Sequence, residues 1–174
     1  MDNTFAETER LILRQMSEKD FSDIAEMLKN PNVMYAWEYV FDDIDVLKWI
    51  KKNREYYKKY GLGYFLAIDK QISQVVGQIA LMPDIVHGIE CYEIGYILKE
   101  RFWHRGYAFE GANVMINYAF NNLKLKSVIF EIRPENHSSR KVAEKCGAVV
   151  TGDFVKNVRG KNMKHLIYCL NSFK

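Results

Sequence analysis

The chain has 174 residues, 48% of them hydrophobic and 14% aromatic, with three prolines and a formal net charge of +3. That length fits one domain, residues 1–174, with a substantial core, and the composition excludes intrinsic disorder. The 25 basic residues are spread along the chain rather than gathered, which argues against a polyanion-binding surface and so against nucleic acid as a partner.

In chain order, "RLILRQM" alternates as a first strand should. Ser17, with Asp20 three residues on, has capping-box spacing and opens a helix to about Lys29, ahead of Pro31. A second helix is expected from Asp43 to Tyr60, with Gly61 as its stop. The period then changes to two: "GYFLAID" and "QVVGQIALM" read as an antiparallel hairpin, and Pro83 with the turn "HGIE" is expected to end its second strand. "CYEIGYIL" follows as a strand, then a helix from Tyr107 to about Asn121, the strand "SVIFEI" and a short helix "SSRKVAEKC" stopped by Gly147. "AVVTGDFV" and "KHLIYCL" close the chain as a strand pair around Arg159-Gly160. This order describes one mixed α/β domain.

Cys91, Cys146 and Cys169 have no CxxC spacing, so neither a metal site nor a disulfide frame is expected. The opening "MDNTFAETERL" is acidic without an apolar h-region, and no apolar run approaches the ~20 residues of a bilayer span. A soluble cytoplasmic protein without a membrane partner is the expectation. Exposed edge strands are compatible with a homodimer.

The informative stretch is "YEIGYILKERFWHRGYAFEG", positions 92–111. In its strand, Tyr92, Ile94, Tyr96 and Leu98 share one face and Glu93, Gly95 and Ile97 the other. Gly95 marks either packing space or the close approach of another chain or ligand. Beyond it, Arg101, His104, Arg105 and Gly106 precede a helix whose first amides have no internal partner. A helix start ordinarily prefers Asp or Ser as cap; a basic turn with a glycine suits an external anion such as phosphate. Solvated arginines in an exposed turn are the alternative.

Strand, basic turn and helix together resemble the acetyl-CoA motif of the GNAT superfamily of N-acetyltransferases, in the form of its RimJ/RimL branch. The signature Q/R-x-x-G-x-G/A falls on Trp103-His104-Arg105-Gly106-Tyr107-Ala108, with tryptophan at the first place as in that branch and His104 where glycine is frequent. "ENHSSRKVAEKCGAVVTG" is similar to the second family motif, matching at Asn136, Ser139 and Gly147, with Ala148 in place of a common phenylalanine. The resemblance implies a GNAT-like domain: a mixed, mostly antiparallel sheet of about seven strands flanked by about four helices. It implies acetyl-CoA as co-substrate, with the pantetheine arm along Tyr96, Ile97 and Leu98. The pyrophosphate would rest on the amides of His104, Arg105, Gly106, Tyr107 and Ala108. Asn136 would touch the cofactor as well as cap its helix, and Arg105 and Arg140 would serve its phosphates.

Acetyl transfer to a primary amine needs a base for the ammonium proton, donors for the thioester oxygen and a proton source for the departing sulfur. Glu93, on the cofactor strand, is the candidate base, against the alternative of a structural ion pair. The tyrosine that many family members use as acid is absent, since Ala143 stands in its place. Ser139 is the candidate donor, or only a residue of the helix start. "NVMYAWEYVF" falls where relatives build the acceptor site, so Trp37, Tyr39 and Phe41 could form an apolar wall and Glu38 could attract a cationic amine. His165 is a candidate for the lining of that pocket, Tyr168 is read as core, and His87 and His137 receive no chemistry. The acceptor, a small-molecule or protein amine, has no readable motif. A non-catalytic acyl-CoA sensor is the competing reading.

Overall fold

A computed structural model describes residues 4–172; the first three residues of the acidic opening stretch lie outside it. Among the described residues, one eight-stranded sheet runs in the order β1-β2-β3-β4-β5-β6-β8-β7. Its strands are β1 (Thr4–Glu7), β2 (Leu11–Arg14), β3 (Gly63–Asp69), β4 (Gln74–Val86), β5 (Ile89–Leu98), β6 (Ser127–Ile132), β7 (Val149–Val158) and β8 (Lys161–Asn171). Four helices, α1 (Phe21–Leu28), α2 (Asp43–Tyr60), α3 (Tyr107–Asn121) and α4 (His137–Lys145), complete the architecture with three short 3-10 turns.

Two boundaries differ from expectation. β1 precedes the strand expected to be first and pairs antiparallel with it; Phe5 holds it there by stacking on Phe65 at 4.1 Å between ring centroids. β4 runs through Pro83 to Val86 instead of ending there. Its last register pair with β3 is Gly63–Leu81, so Pro83 lies where that edge of the strand has no β3 partner, and proline is tolerated at such an edge.

Helices cover both faces of the sheet. Successive residues of a strand point to opposite sides. Gln78 accepts the indole N–H of Trp49 in α2 at 2.9 Å, while Ile79 packs so close to Gly111 of α3 that a Cβ there would stand 2.6 Å from it. Asp42 caps α2 by accepting the Asp45 amide at 2.7 Å, and Ser17 donates its amide to Asp20 at 2.7 Å at the start of the turn leading into α1.

The feature that places the site is the pairing of β5 with β6. Every other neighbouring pair is antiparallel, whereas these two are parallel and share a single register pair, Glu93–Ile129. Beyond Glu93 the strands diverge, opening a wedge in the middle of the sheet alongside Gly95–Leu98.

Candidate functional site

Two cavities meet at this wedge. A groove of about 420 Å³ runs past Tyr96, Ile97 and Leu98 to His104, Gly106, Tyr107 and Ala108, walled on its far side by α4. A larger cavity of about 720 Å³ lies under the segment between α1 and α2. Ala36, Trp37, Tyr96, Ile97, Asn136 and Ser139 line both, so a ligand in one touches a ligand in the other at this junction.

The groove is suited to an extended molecule with an anionic end. Gly106, at φ +82°, is the N-cap of α3 and supplies no capping side chain. The first intrahelical bond is from the Glu110 amide to the Gly106 carbonyl at 3.0 Å, leaving the earlier amides of the helix for an outside acceptor. His104 is also left-handed, at φ +61°, a conformation histidine tolerates better than most residues. Thus the position where glycine is frequent has the backbone shape that glycine favours. Trp103 anchors the end of β5 by donating its indole N–H to the Leu98 carbonyl at 3.1 Å.

Two expected phosphate ligands are placed elsewhere. Arg105 is exposed, absent from the groove lining, and lies over the Phe102 ring at 5.4 Å. Arg140 donates to Tyr168 Oη at 3.0 Å and to the Pro134 carbonyl at 3.1 Å, so the first turn of α4 directs it toward β8 rather than the groove. The cations on the groove wall are Lys141 and Lys145. With Ser138 and Val142 they form one face of α4 at helical spacing, a pattern the sequence displays but the motif did not flag. Arg10 was also unflagged. It bonds the Arg105 carbonyl at 3.0 Å and Glu110 at 2.7 Å, bracing the turn from behind.

At the junction, Ser139 Oγ donates to Tyr96 Oη at 3.0 Å, and Tyr96 Oη donates to the Ser139 carbonyl at 2.8 Å. Asn136 caps α4 by accepting the Ser139 amide at 3.1 Å and accepts the Tyr35 hydroxyl at 2.8 Å. The Tyr96 side chain, expected only as part of a backbone contact, therefore forms a hydroxyl pair with Ser139. Ala143 is fully buried and offers no donor. Gly95 is packing space: a Cβ there would collide with the Tyr64 hydroxyl.

Glu93 lines the larger cavity with Asp84, Glu131 and Lys156. Burial, and then the charge of Glu131, push its carboxyl up to about 8, against the opposing pull of Lys156. Burial raises Glu131 as well, although Lys156 binds it at 2.8 Å. Trp37, Tyr39, Phe41 and Trp49 form a wall with ring centroids about 6 Å apart. Glu38 is not part of the lining: it is left-handed at φ +58° and paired with Arg133, at 2.9 Å, and with Lys161. Its charge holds the segment down, and the acidic groups of the cavity are Asp84, Glu93 and Glu131 of the strands together with Asp45 of α2, which pairs with Arg159 at 2.8 Å. His165 lines the cavity, with burial lowering its pKa; Tyr168 is core, 1% exposed.

Residues 10–149 match the family model described as acetyltransferase (GNAT) domain. The Bacillus subtilis protein YkkB is 30% identical over 167 residues, covering 95% of each chain. The B. subtilis N-acetyltransferase YnaD is 31% identical, over 86% of this chain and 85% of its own. Among solved structures, a GNAT-family acetyltransferase from Bacillus anthracis superposes with a TM-score of 0.80 at 29% identity, covering 96% of this chain and 98% of that one.

Proposed function

The chain belongs to the GNAT acetyltransferase family, and from that premise we propose that it moves the acetyl group of acetyl-CoA to a primary amine held in the larger cavity, by direct attack on the thioester. The observation that carries this reading is the meeting of the two cavities at Tyr96, Ile97 and Ser139. It gives an extended thioester and an amine one shared point of contact, which is the positioning such a reaction requires.

The groove fits CoA. The uncapped amides of α3 at Gly106–Ala108 would receive the diphosphate, Lys141 and Lys145 would face its negative charge, and Tyr96, Ile97 and Leu98 would pair with the pantetheine arm along the open edge of β5. On the open edge of β5 the amides of Tyr96 and Leu98 would donate to the thioester oxygen, since the register with β4 turns the Ile97 amide toward Gln78. Glu93 would accept the proton leaving the ammonium. It stands four residues before Ile97, about 13 Å along the strand, so the transfer passes through water. The Tyr96–Ser139 hydroxyl pair would return a proton to the departing sulfur. Within the superfamily we assign the RimJ/RimL branch, on Trp103 at the first place of the signature. A cytoplasmic location agrees with the absence, among the described residues, of any helix long and apolar enough to cross a membrane.

Free thiol measured while acetyl-CoA is presented with a panel of primary amines tests the reading. Amine-dependent CoA release supports it, whereas tight acetyl-CoA binding with no thiol released by any amine identifies an acyl-CoA sensor.

A further inference from the structure

The segment between α1 and α2 is clamped on both sides of one residue that packing does not hold. Asn30 and Asn32 donate their side-chain amides to the Glu100 carboxylate at 3.0 and 2.9 Å, tying the segment to the turn after β5. Further along, Arg133 donates to the Ala36 carbonyl at 3.1 Å and to Glu38 at 2.9 Å. Tyr35 lies between these clamps, 47% exposed, so burial alone does not set its position. Its hydroxyl donates to Asn136 Oδ1 at 2.8 Å, joining the segment to the start of α4 where the two cavities meet.

Asn136 Oδ1 thereby accepts two donors, because the Ser139 amide also reaches it at 3.1 Å. The Ser139 bond alone would decide which end of the carboxamide faces α4, yet leave its plane free to swing. A second donor, coming from another element, fixes that plane. With Oδ1 committed, the donor end Nδ2 has no protein partner among the described residues, and Asn136 lines both cavities. The pantetheine arm is built from amide units and so presents a carbonyl acceptor there. We propose that Tyr35 is a positioning residue for the cofactor: it fixes the Asn136 carboxamide so that Nδ2 donates to a carbonyl of the arm beside Tyr96 and Ile97. Glu100 belongs to the turn that leads into Gly106. One segment therefore holds both the turn that would receive the phosphates and the residue that would grip the arm.

This inference rests on the acetyl-CoA reading and deepens it. Tyr35→Phe keeps the ring and the clamps and removes only the second donor. Asn136→Ser keeps a capping oxygen for α4 and removes Nδ2. Calorimetric titration with CoA should give a Kd raised about fivefold in Tyr35→Phe and about tenfold in Asn136→Ser. The double variant should bind no more weakly than Asn136→Ser, because Tyr35 acts through Asn136. Adenosine 3′-phosphate 5′-diphosphate, which is CoA without its arm, should bind all of these proteins alike. An unchanged Kd in Tyr35→Phe, equal weakening of CoA and of the armless nucleotide, or strictly multiplicative losses in the double variant would overturn the proposal. Any of those results beside amine-dependent thiol release would remove Tyr35 and leave the transferase reading standing. The expected binding pattern with no thiol released by any amine would do the reverse, and a wild type that binds no CoA would end both.

Discussion

Glu93, as the proposed base, would serve chemistry at a cost to the fold. In the unfolded chain a glutamate titrates near ~4.3; in the folded one burial and Glu131 move it to about 8. Between those values the folded state holds a proton that the unfolded state has released, so this group favours folding at low pH and loses that contribution as pH rises through 8. Glu93→Gln removes the titration. Its melting temperature should match the wild type near pH 4 and exceed it at pH 9. Its kcat should fall about 100-fold, and the wild-type to variant activity ratio should climb with pH up to an inflection near 8. A flat ratio from pH 6 to 9 would take Glu93 out of proton transfer. At the junction, Tyr96→Phe and Ser139→Ala should each lower kcat about tenfold. Because the two hydroxyls are bonded to each other, the double variant should lose little more than either single one; strictly multiplicative losses would mean that they act apart.

At the scale of elements, the start of α3 carries the proposed cofactor site. Gly106 sits at φ +82°, where a side chain costs roughly 1–2 kcal/mol and crowds the amides that would face a diphosphate. Gly106→Ala should therefore lower thermal stability and weaken CoA binding by about tenfold, while a change in stability alone would show that the amides do not bind the phosphates. The helix and its glycine N-cap were legible in the sequence, because no ordinary capping residue precedes the helix; the arginines read with them pack on Phe102 instead, and Arg101 pairs with Glu26. The Ser17–Asp20 capping box, the 18-residue α2 and the alternating faces of β5 were legible for the same local reason. What stayed hidden depends on long-range placement. Whether an arginine faces the groove or β8 is decided by the rotation of α4 on the sheet, so Arg140 was misplaced while Lys141 and Lys145 were overlooked. Glu38 was misassigned because its partners, Arg133 and Lys161, lie about a hundred residues away in sequence.

On the scale of the whole molecule, the parallel junction of β5 and β6 organises everything else. A sheet that was antiparallel throughout would have no wedge. Here the single Glu93–Ile129 pair lets one face of the split accept an extended ligand and brings carboxyls from β4, β5 and β6 together on the other side. No local pattern announces that encounter: Asp84, Glu93 and Glu131 each sit in an ordinary strand, and only the strand order makes them neighbours. A crystal structure of the protein with CoA is the most direct measurement of the account. It should show diphosphate oxygens about 3 Å from the amides at Gly106–Ala108, with the thiol beside Tyr96 and Ser139. CoA seated anywhere else, or a thiol pointing away from the larger cavity, would contradict it.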